Sequence, residues 1–111
     1  MRIKSNRARI LHMLRAIKAI AGFGKIDLWN EMHYSATVYQ LQIIGEAANN
    51  VDPVIRNRYP TIPWKNIIGF RHYAVHGYED VLHEAIKVAL QSLPELKSQL
   101  QAIIDDHADD F

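Results

Sequence analysis

The chain contains 111 residues with a formal net charge of +1; 49% of them are hydrophobic and none is cysteine. This length suits one domain over residues 1–111, and the composition excludes disulfides and cysteine-based metal sites. No apolar run approaches the roughly 20 residues that a membrane span requires. Because Arg15 and Lys18 interrupt the apolar stretch near the N-terminus, we expect no signal peptide and predict a cytoplasmic protein.

Charge is distributed unevenly along the chain. Residues 1–26 carry seven lysines and arginines and no acid, whereas residues 79–111 carry eight acids against two lysines. A basic first helix could line a phosphate-binding groove, or its cations could form a solvated helix face. The charge distribution alone leaves both interpretations open.

The hydrophobic pattern predicts two helices in the first half of the chain. The first has apolar residues at helical spacing, namely Ile3, Ile10, Leu14, Ile17 and Ala21. Gly22 and Gly24 are expected to end it, and Asp27 to cap the second helix. The second helix carries a broad apolar face, formed by Met32, Ala36, Tyr39, Ile43 and Ala47 beside Leu41, Ile44 and Ala48. So broad an apolar face is typical of a central helix.

The second half of the chain is also predicted to be helical. Asp52-Pro53 predicts a short helical turn, and the prolines that follow it at Pro60 and Pro63 form a connector. A further helix is expected from Pro63 or Trp64 to about Val75, ended by Gly77.

Asp80 is then expected to cap another helix, and Pro94 to open a last one. No alternating strand pattern is present. The predicted fold class is all-α, an antiparallel bundle of four to five helices.

The segment from Arg71 to Tyr78 concentrates groups suited to phosphodiester chemistry. Arg71 stays charged and presents a fork of donors that matches a phosphate. His76 can give or take a proton near neutral pH. Tyr78 offers a hydroxyl that can hydrogen-bond or be modified, although it could equally be a packed aromatic. A lone histidine would more often bond a neighbouring helix, but its arginine and tyrosine companions favour a functional role.

The spacing of Arg71 and His76 poses a geometric problem. Residues five apart lie about 140° apart around an ideal helix. Three arrangements could bring the two groups together: the arginine curls around the helix, the backbone departs from the helix near Gly77, or Arg71 of one chain meets His76 of a second. The third arrangement would make a homodimer part of the mechanism.

Metal binding is an alternative interpretation. His72, His76 and His83 are accompanied by Glu79, and two histidines four residues apart can share a zinc ion. The segment between His72 and His76 lacks the glutamate of a metalloprotease motif, because Tyr73 occupies that position. We therefore predict no metal, and a metal-dependent helical-bundle enzyme stays a third-ranked possibility.

Glu46 is a lone acid among small and apolar residues, in Ile44-Gly45-Glu46-Ala47-Ala48. A buried acid needs a partner. We therefore expect Glu46 to meet Arg71, a histidine or a helix terminus. The alternative is a side chain that faces solvent.

The segment from Gln42 to Tyr78 resembles the HEPN superfamily, specifically the HepT-like toxins. The matching pieces are Ile44-Gly45-Glu46-Ala47-Ala48, Ile62-Pro63-Trp64, Ile67-Ile68-Gly69 and Arg71-x4-His76-x-Tyr78. The last piece fits the family's Arg-x4-His-x-Tyr signature. One departure is His72, which stands where the family often has asparagine.

The resemblance implies a homodimeric helical bundle that cleaves RNA without a metal or another cofactor. Arg71 and His76 would be catalytic at a dimer cleft, with His72 and Glu46 in support. The implied partner is a minimal nucleotidyltransferase antitoxin, which transfers AMP from ATP to Tyr78. The RNA 2′-hydroxyl would then be the nucleophile, and a 2′,3′-cyclic phosphate the product. The alternative function is a non-catalytic, substrate-binding subunit of a two-component nucleotidyltransferase.

Overall fold

The computed structural model describes residues 5–76, 79–107 and 111, with backbone only at positions 75, 76, 79 and 80. Within these residues the chain is helical and has no strand, so the predicted all-α class is confirmed. The five helices are α1 (Asn6–Ala21), α2 (Glu31–Asn49), α3 (Pro53–Arg58), α4 (Trp64–His76) and α5 (Glu79–Asp106).

Side-chain caps fix the starts of the first three helices. Ser5 caps α1, Asn30 caps α2 and Asp52 caps α3, each by accepting hydrogen bonds from backbone N–H groups in the first turn. The prediction that Asp27 caps α2 is wrong. Asp27 Oδ1 instead accepts a hydrogen bond from the backbone N–H of Trp29, which closes a turn in the loop before the helix.

Helix α2 lies at the centre of the bundle, between α1 and α4. Helix α1 also packs against α5, whereas the described residues of α4 and α5 contact each other only sparsely. The interior is a single apolar cluster, and its fully enclosed members include Ile10, Met13, Ala48, Ile86, Leu100 and Ile103. Across the described helices, no stretch offers the continuous apolar length that a bilayer crossing demands.

The apolar face of α2 is narrower than predicted. Leu41 and Ile44 are buried as expected, but Met32 is 79% exposed and Tyr39 is 61% exposed. The reason is that, within the described residues, α2 packs mainly against α1 and α4, with a further contact between Tyr34 and His83 of α5. Met32 and Tyr39 share a third side, which also carries the exposed Glu46 and faces solvent.

Pro94 does not open a separate helix; that prediction is wrong. Helix α5 runs unbroken through Pro94, from Glu79 to Asp106. A proline inside a helix costs about 3 kcal/mol, but burial of each large apolar side chain contributes about 1.5–3 kcal/mol. Leu82 and Ile86 before Pro94, and Leu96 and Leu100 after it, are buried against the same core. Their combined burial outweighs the local cost and keeps the helix continuous.

Candidate active site and neighbouring grooves

Arg71 lies on α4 opposite Glu46 on α2. Arg71 Nε is 4.0 Å from Glu46 Oε1, and the two side chains are 64% and 59% exposed. The expected partnership of Glu46 with Arg71 is therefore confirmed, whereas the expected burial of Glu46 is wrong. The side of α2 that carries Glu46 is left open to solvent, so the carboxylate needs no burial compensation.

The contact between Arg71 and Glu46 is weak. Exposed ion pairs contribute about 0–1 kcal/mol, and 4.0 Å exceeds hydrogen-bonding distance. The contact involves Nε, the inner nitrogen of the guanidinium group. An incoming phosphate would be met by the outer edge of the same fork. The carboxylate therefore leaves the outer edge of the guanidinium accessible to a phosphate.

A close approach of two backbones places these side chains together. A Cβ atom added to Gly45 would lie 2.9 Å from the carbonyl oxygen of Ile67, so only glycine fits at this crossing of α2 and α4. Gly45 immediately precedes Glu46, and Ile67 lies one helical turn before Arg71. The tight crossing thus sets the register between the acid and the arginine. By contrast, a Cβ atom added to Gly69 would meet no atom within 4 Å.

His72 and Tyr73 follow Arg71 around the helix toward α5. Both side chains are exposed, and their rings meet edge to face with centroids 6.0 Å apart. Both residues line a groove between α4 and α5, called here the α4–α5 groove, with a volume of about 910 Å³. The part of α4 that carries Arg71 therefore forms one wall of this groove.

The α4–α5 groove has an apolar floor and a rim that combines apolar with charged and polar side chains. Its floor includes the buried side chains of Leu41, Ile44, Phe70, Leu93 and Leu96. Its rim includes Tyr73, Val81 and Val88, which are 43%, 46% and 55% exposed. The groove exists because α4 packs tightly on α2 and only sparsely on α5. Contiguous apolar surface of this kind marks a binding or association surface more often than plain solvent exposure.

The predicted roles of His76 and Tyr78 are not addressed by these contacts. The backbone of α4 is helical through His76, so positions 71 and 76 lie about 140° apart around its axis. The side chain of His76 and the whole of Tyr78 lie outside the described residues. Their assignments as catalytic and modified residue stay predictions.

His83, which the metal alternative would use, is part of the core packing. It is 8% exposed, and its Nε2 atom lies 3.3 Å from the carbonyl oxygen of Leu28. The ring of Trp29 stacks on it at 4.7 Å between centroids, and Tyr34 tilts against it at 5.2 Å. Among the described residues, no three histidine or acidic side chains gather closely enough to hold a metal ion.

A second groove, which the sequence analysis did not predict, adjoins the Arg71–Glu46 pair. We call it the α3 pocket; it has a volume of about 580 Å³. It is lined by residues of α2, α3 and α4, namely Asn49, Pro53, Arg56, Asn57, Trp64, Lys65, Ile68 and Gly69. These residues come from three separate helices, so no single motif in the sequence could reveal it.

The basic residues of α1 contribute to neither groove. Arg7 donates a hydrogen bond to the carbonyl oxygen of His107 instead, and Arg15 and Lys18 face solvent. Of the two interpretations of the basic first helix, the solvated face therefore describes Arg15 and Lys18, and neither groove is lined by a cation of α1.

The sequence is similar to a known protein family over most of its length. A family profile described as Ribonuclease HepT-like matches residues 10–103. That range includes Glu46, Arg71, His76 and Tyr78 as well as all residues that line the two grooves. No solved structure matches the chain.

Individual proteins that are similar to this chain also carry ribonuclease names. A protein of Caldanaerobacter subterraneus named as a candidate RNase is 37% identical over 70 residues, which cover 62% of each chain. A Methanocaldococcus jannaschii protein named as a candidate RNase is 28% identical over 114 residues, covering 93% of this chain and 90% of its own. A Thermococcus cleftensis protein named as a candidate ribonuclease HepT is 29% identical over 69 residues, covering 61% and 63%. The match thus spans less than two thirds of the Caldanaerobacter and Thermococcus proteins.

Proposed function

The chain belongs to the HepT-like ribonuclease family, and from this premise we propose that it is a metal-independent endoribonuclease, the toxin of a toxin–antitoxin system. The single observation that carries the proposal is the exposed Arg71 guanidinium, held beside Glu46 within the region that matches the family. A phosphodiester needs a fixed cation of this kind where charge develops. The proposed substrate is RNA, because RNA supplies its own nucleophile.

The proposed reaction is attack of the RNA 2′-hydroxyl on the adjacent phosphorus. A bond forms between O2′ and phosphorus while the bond to O5′ breaks, leaving a 2′,3′-cyclic phosphate and a 5′-hydroxyl. His76 takes the proton from O2′ or supplies one to O5′, a contribution of about 10²- to 10⁴-fold. Arg71 binds the non-bridging oxygens as their charge grows. His72 and Glu46 are proposed to support these two groups.

A homodimer is proposed to complete the site. Two features of the chain support this. Positions 71 and 76 diverge around α4, so a second chain offers one way of joining their side chains across a cleft. The α4–α5 groove begins at His72 and Tyr73, next to Arg71, and its apolar rim is suited to burial against a second copy.

The proposed partner is a minimal nucleotidyltransferase that acts as the antitoxin. It would use ATP to attach AMP to the hydroxyl of Tyr78: the phenolic oxygen attacks the α-phosphorus, and pyrophosphate leaves. The added phosphate would lie two residues from His76 in the sequence. A negative charge there would repel or displace the phosphate of an RNA substrate.

The catalytic assignment is tested with purified protein and a defined RNA oligonucleotide in EDTA. We expect cleavage with cyclic phosphate ends and none of the matching DNA. Arg71→Ala should lower kcat/KM by about 10²- to 10³-fold, the usual loss of one transition-state donor. Arg15→Ala, a solvent-facing arginine on α1, is the matched control and should cleave normally. A strict need for added magnesium, or equal cutting of DNA, would reject the mechanism.

Toxicity separates this function from the alternative of a non-catalytic binding subunit. Expression of the wild-type chain alone should stop growth, and Arg71→Ala or His76→Ala should restore it. A binding subunit would be harmless in all three forms.

The modification is tested by intact mass measurement after incubation with ATP and the cognate transferase. We expect an AMP-sized addition that Tyr78→Phe abolishes. Tyr39→Phe is the control, because Tyr39 is a well-exposed tyrosine elsewhere on the bundle. An addition that survives Tyr78→Phe contradicts the assignment.

A further inference from the structure

The near edge of the α3 pocket is one helical turn from the Arg71–Glu46 pair on both α2 and α4. Ile68 in the pocket is one helical turn before Arg71 on α4, and Asn49 is one turn after Glu46 on α2. Lys65, at the far side, is six residues before Arg71, about 9 Å along the helix and about 120° around it. A strand bound at Arg71 would therefore reach the pocket with a neighbouring nucleotide.

The charge of the pocket suits an anion. Arg56 and Lys65 line it, and none of its described lining residues is acidic. Arg56 Nε donates a hydrogen bond to the carbonyl oxygen of Val51 at 3.1 Å, which holds the guanidinium in place. The α4–α5 groove differs, because Glu84 and Glu95 accompany Lys65 in its lining.

The remaining lining of the pocket suits a nucleobase. Asn49 and Asn57 carry amides, which present both a donor and an acceptor and can pair with the edge of a base. Pro53, Trp64 and Ile68 supply apolar surface, and the indole of Trp64 is fixed by a 3.0 Å hydrogen bond to the carbonyl oxygen of Tyr59. A volume of about 580 Å³ also falls within the range of small-molecule sites.

We propose that the α3 pocket is a nucleotide subsite, which holds the nucleotide of an RNA substrate that flanks the cleaved linkage. Arg56 and Lys65 bind its phosphate, and Asn49 and Asn57 select its base. This inference rests on the proposed ribonuclease function and adds a source of sequence preference to it. Single-stranded RNA is the form that fits, because its bases are free to enter a pocket.

Binding is measured with a 2′-O-methyl RNA oligonucleotide, which lacks the proposed nucleophile and therefore stays intact. Lys65→Gln should weaken binding about three- to tenfold and flatten the dependence of log Kd on log salt by about 0.7, the value for one lost phosphate contact. Because Lys65 also lines the α4–α5 groove, Asn57→Ala, which changes the α3 pocket alone, should weaken binding of the same oligonucleotide as well. Arg58→Gln is the matched control: Arg58 is an exposed cation on α3 that does not line the pocket. It should bind within twofold of wild type. Arg56 is avoided because it also bonds Val51.

Cleavage then tests base selection. Asn57→Ala should raise KM several-fold for the preferred RNA with kcat nearly unchanged, and should reduce discrimination among oligonucleotides that differ at the flanking base. Gln91→Ala, which removes an exposed amide on α5 that lines neither groove, should do neither. Thermal melting verifies that each variant is folded.

The outcomes separate the subsite from the ribonuclease function. Equal weakening by Lys65→Gln and Arg58→Gln, or unchanged binding and specificity in all pocket variants, overturns the subsite while wild-type cleavage upholds the enzyme. AMP that binds as tightly as the oligonucleotide, and is lost in Lys65→Gln, assigns the pocket to a free nucleotide and overturns the RNA subsite. Wild-type protein that neither binds nor cuts RNA rejects the enzyme itself.

Discussion

The two sides of α4 differ in how completely they are packed. Toward α2 the backbones approach so closely that only glycine fits at position 45, and Arg71 is held near Glu46. Toward α5 the helix leaves an apolar groove of about 910 Å³ whose rim is half exposed. The two sides of α4 therefore differ in what they can do. Its packed side sets the position of the arginine, and its open side offers surface to another molecule.

The largest expected effect comes from placing a charge on the open side. Val88 is 55% exposed on the groove rim, and in the proposed dimer its side chain is buried. Val88→Asp would bury an unpaired carboxylate, so the dimer should dissociate at least about thirtyfold more readily, or about 2 kcal/mol. Gln91→Asp, on an exposed part of α5 outside the groove, is the control. Sedimentation equilibrium measures both, and a Val88→Asp dimer of wild-type strength would place the interface elsewhere.

The packed side is tested by adding one methyl group. Gly45→Ala forces a Cβ atom to within 2.9 Å of the Ile67 carbonyl oxygen, and overpacking of this kind costs about 1–3 kcal/mol. In Gly69→Ala the added Cβ atom meets open space, so the unfolding free energy should stay the same or rise by up to about 1 kcal/mol, because alanine has the higher helix propensity. Urea titration compares them. Equal stability of the two variants would show that α2 and α4 can separate without cost.

A substitution at Tyr59, which lies on neither side of α4, should lower stability without changing activity. The Tyr59 hydroxyl lies 2.9 Å from His107 Nε2 and donates to Asp106 Oδ2 at 3.3 Å. Tyr59→Phe should therefore cost about 1 kcal/mol of unfolding free energy. Activity per folded molecule should not change.

The unfolding free energy lost in Tyr59→Phe should depend on pH. Desolvation, followed by the Asp106 carboxylate, raises the pKa of Tyr59 in the folded state. Its stabilisation is complete below the unfolded pKa of about 10 and is lost as pH rises through the higher folded value. The advantage of wild type over Tyr59→Phe should shrink in that alkaline range. A constant difference from pH 7 to pH 11 would contradict it.

The smallest effect on stability is expected for Glu46→Gln. The exposed pair contributes about 0–1 kcal/mol, so unfolding should hardly change. In the proposed supporting role Glu46 orients Arg71, so kcat should still fall a few-fold, whereas Glu31→Gln, at an exposed acid at the start of α2, should leave kcat unchanged. An unaltered kcat would leave the crossing at Gly45 as the sole determinant of the arginine's position.

Much of the helical pattern was predictable, because local rules set it. Proline at position 53 and the break before Trp64 predicted the starts of α3 and α4, and both are confirmed. The failures occur where tertiary burial overrides a local signal. Pro94 breaks helices in isolation, yet buried leucines on either side hold α5 together. Met32 and Tyr39 fit an apolar stripe, yet they are 79% and 61% exposed, since none of the described helices packs over their side of α2.

The candidate site also combines features set by the sequence with features set by tertiary packing. The sequence by itself determined which groups are available: an arginine and a histidine spaced five apart, and an acid expected to meet that arginine. Only the tertiary structure decided that the acid is exposed, that α4 leaves a groove beside α5, and that three helices enclose the α3 pocket. The physical reason is that residue type and helical spacing act within one segment, whereas a groove depends on how far apart whole helices settle when their cores are packed.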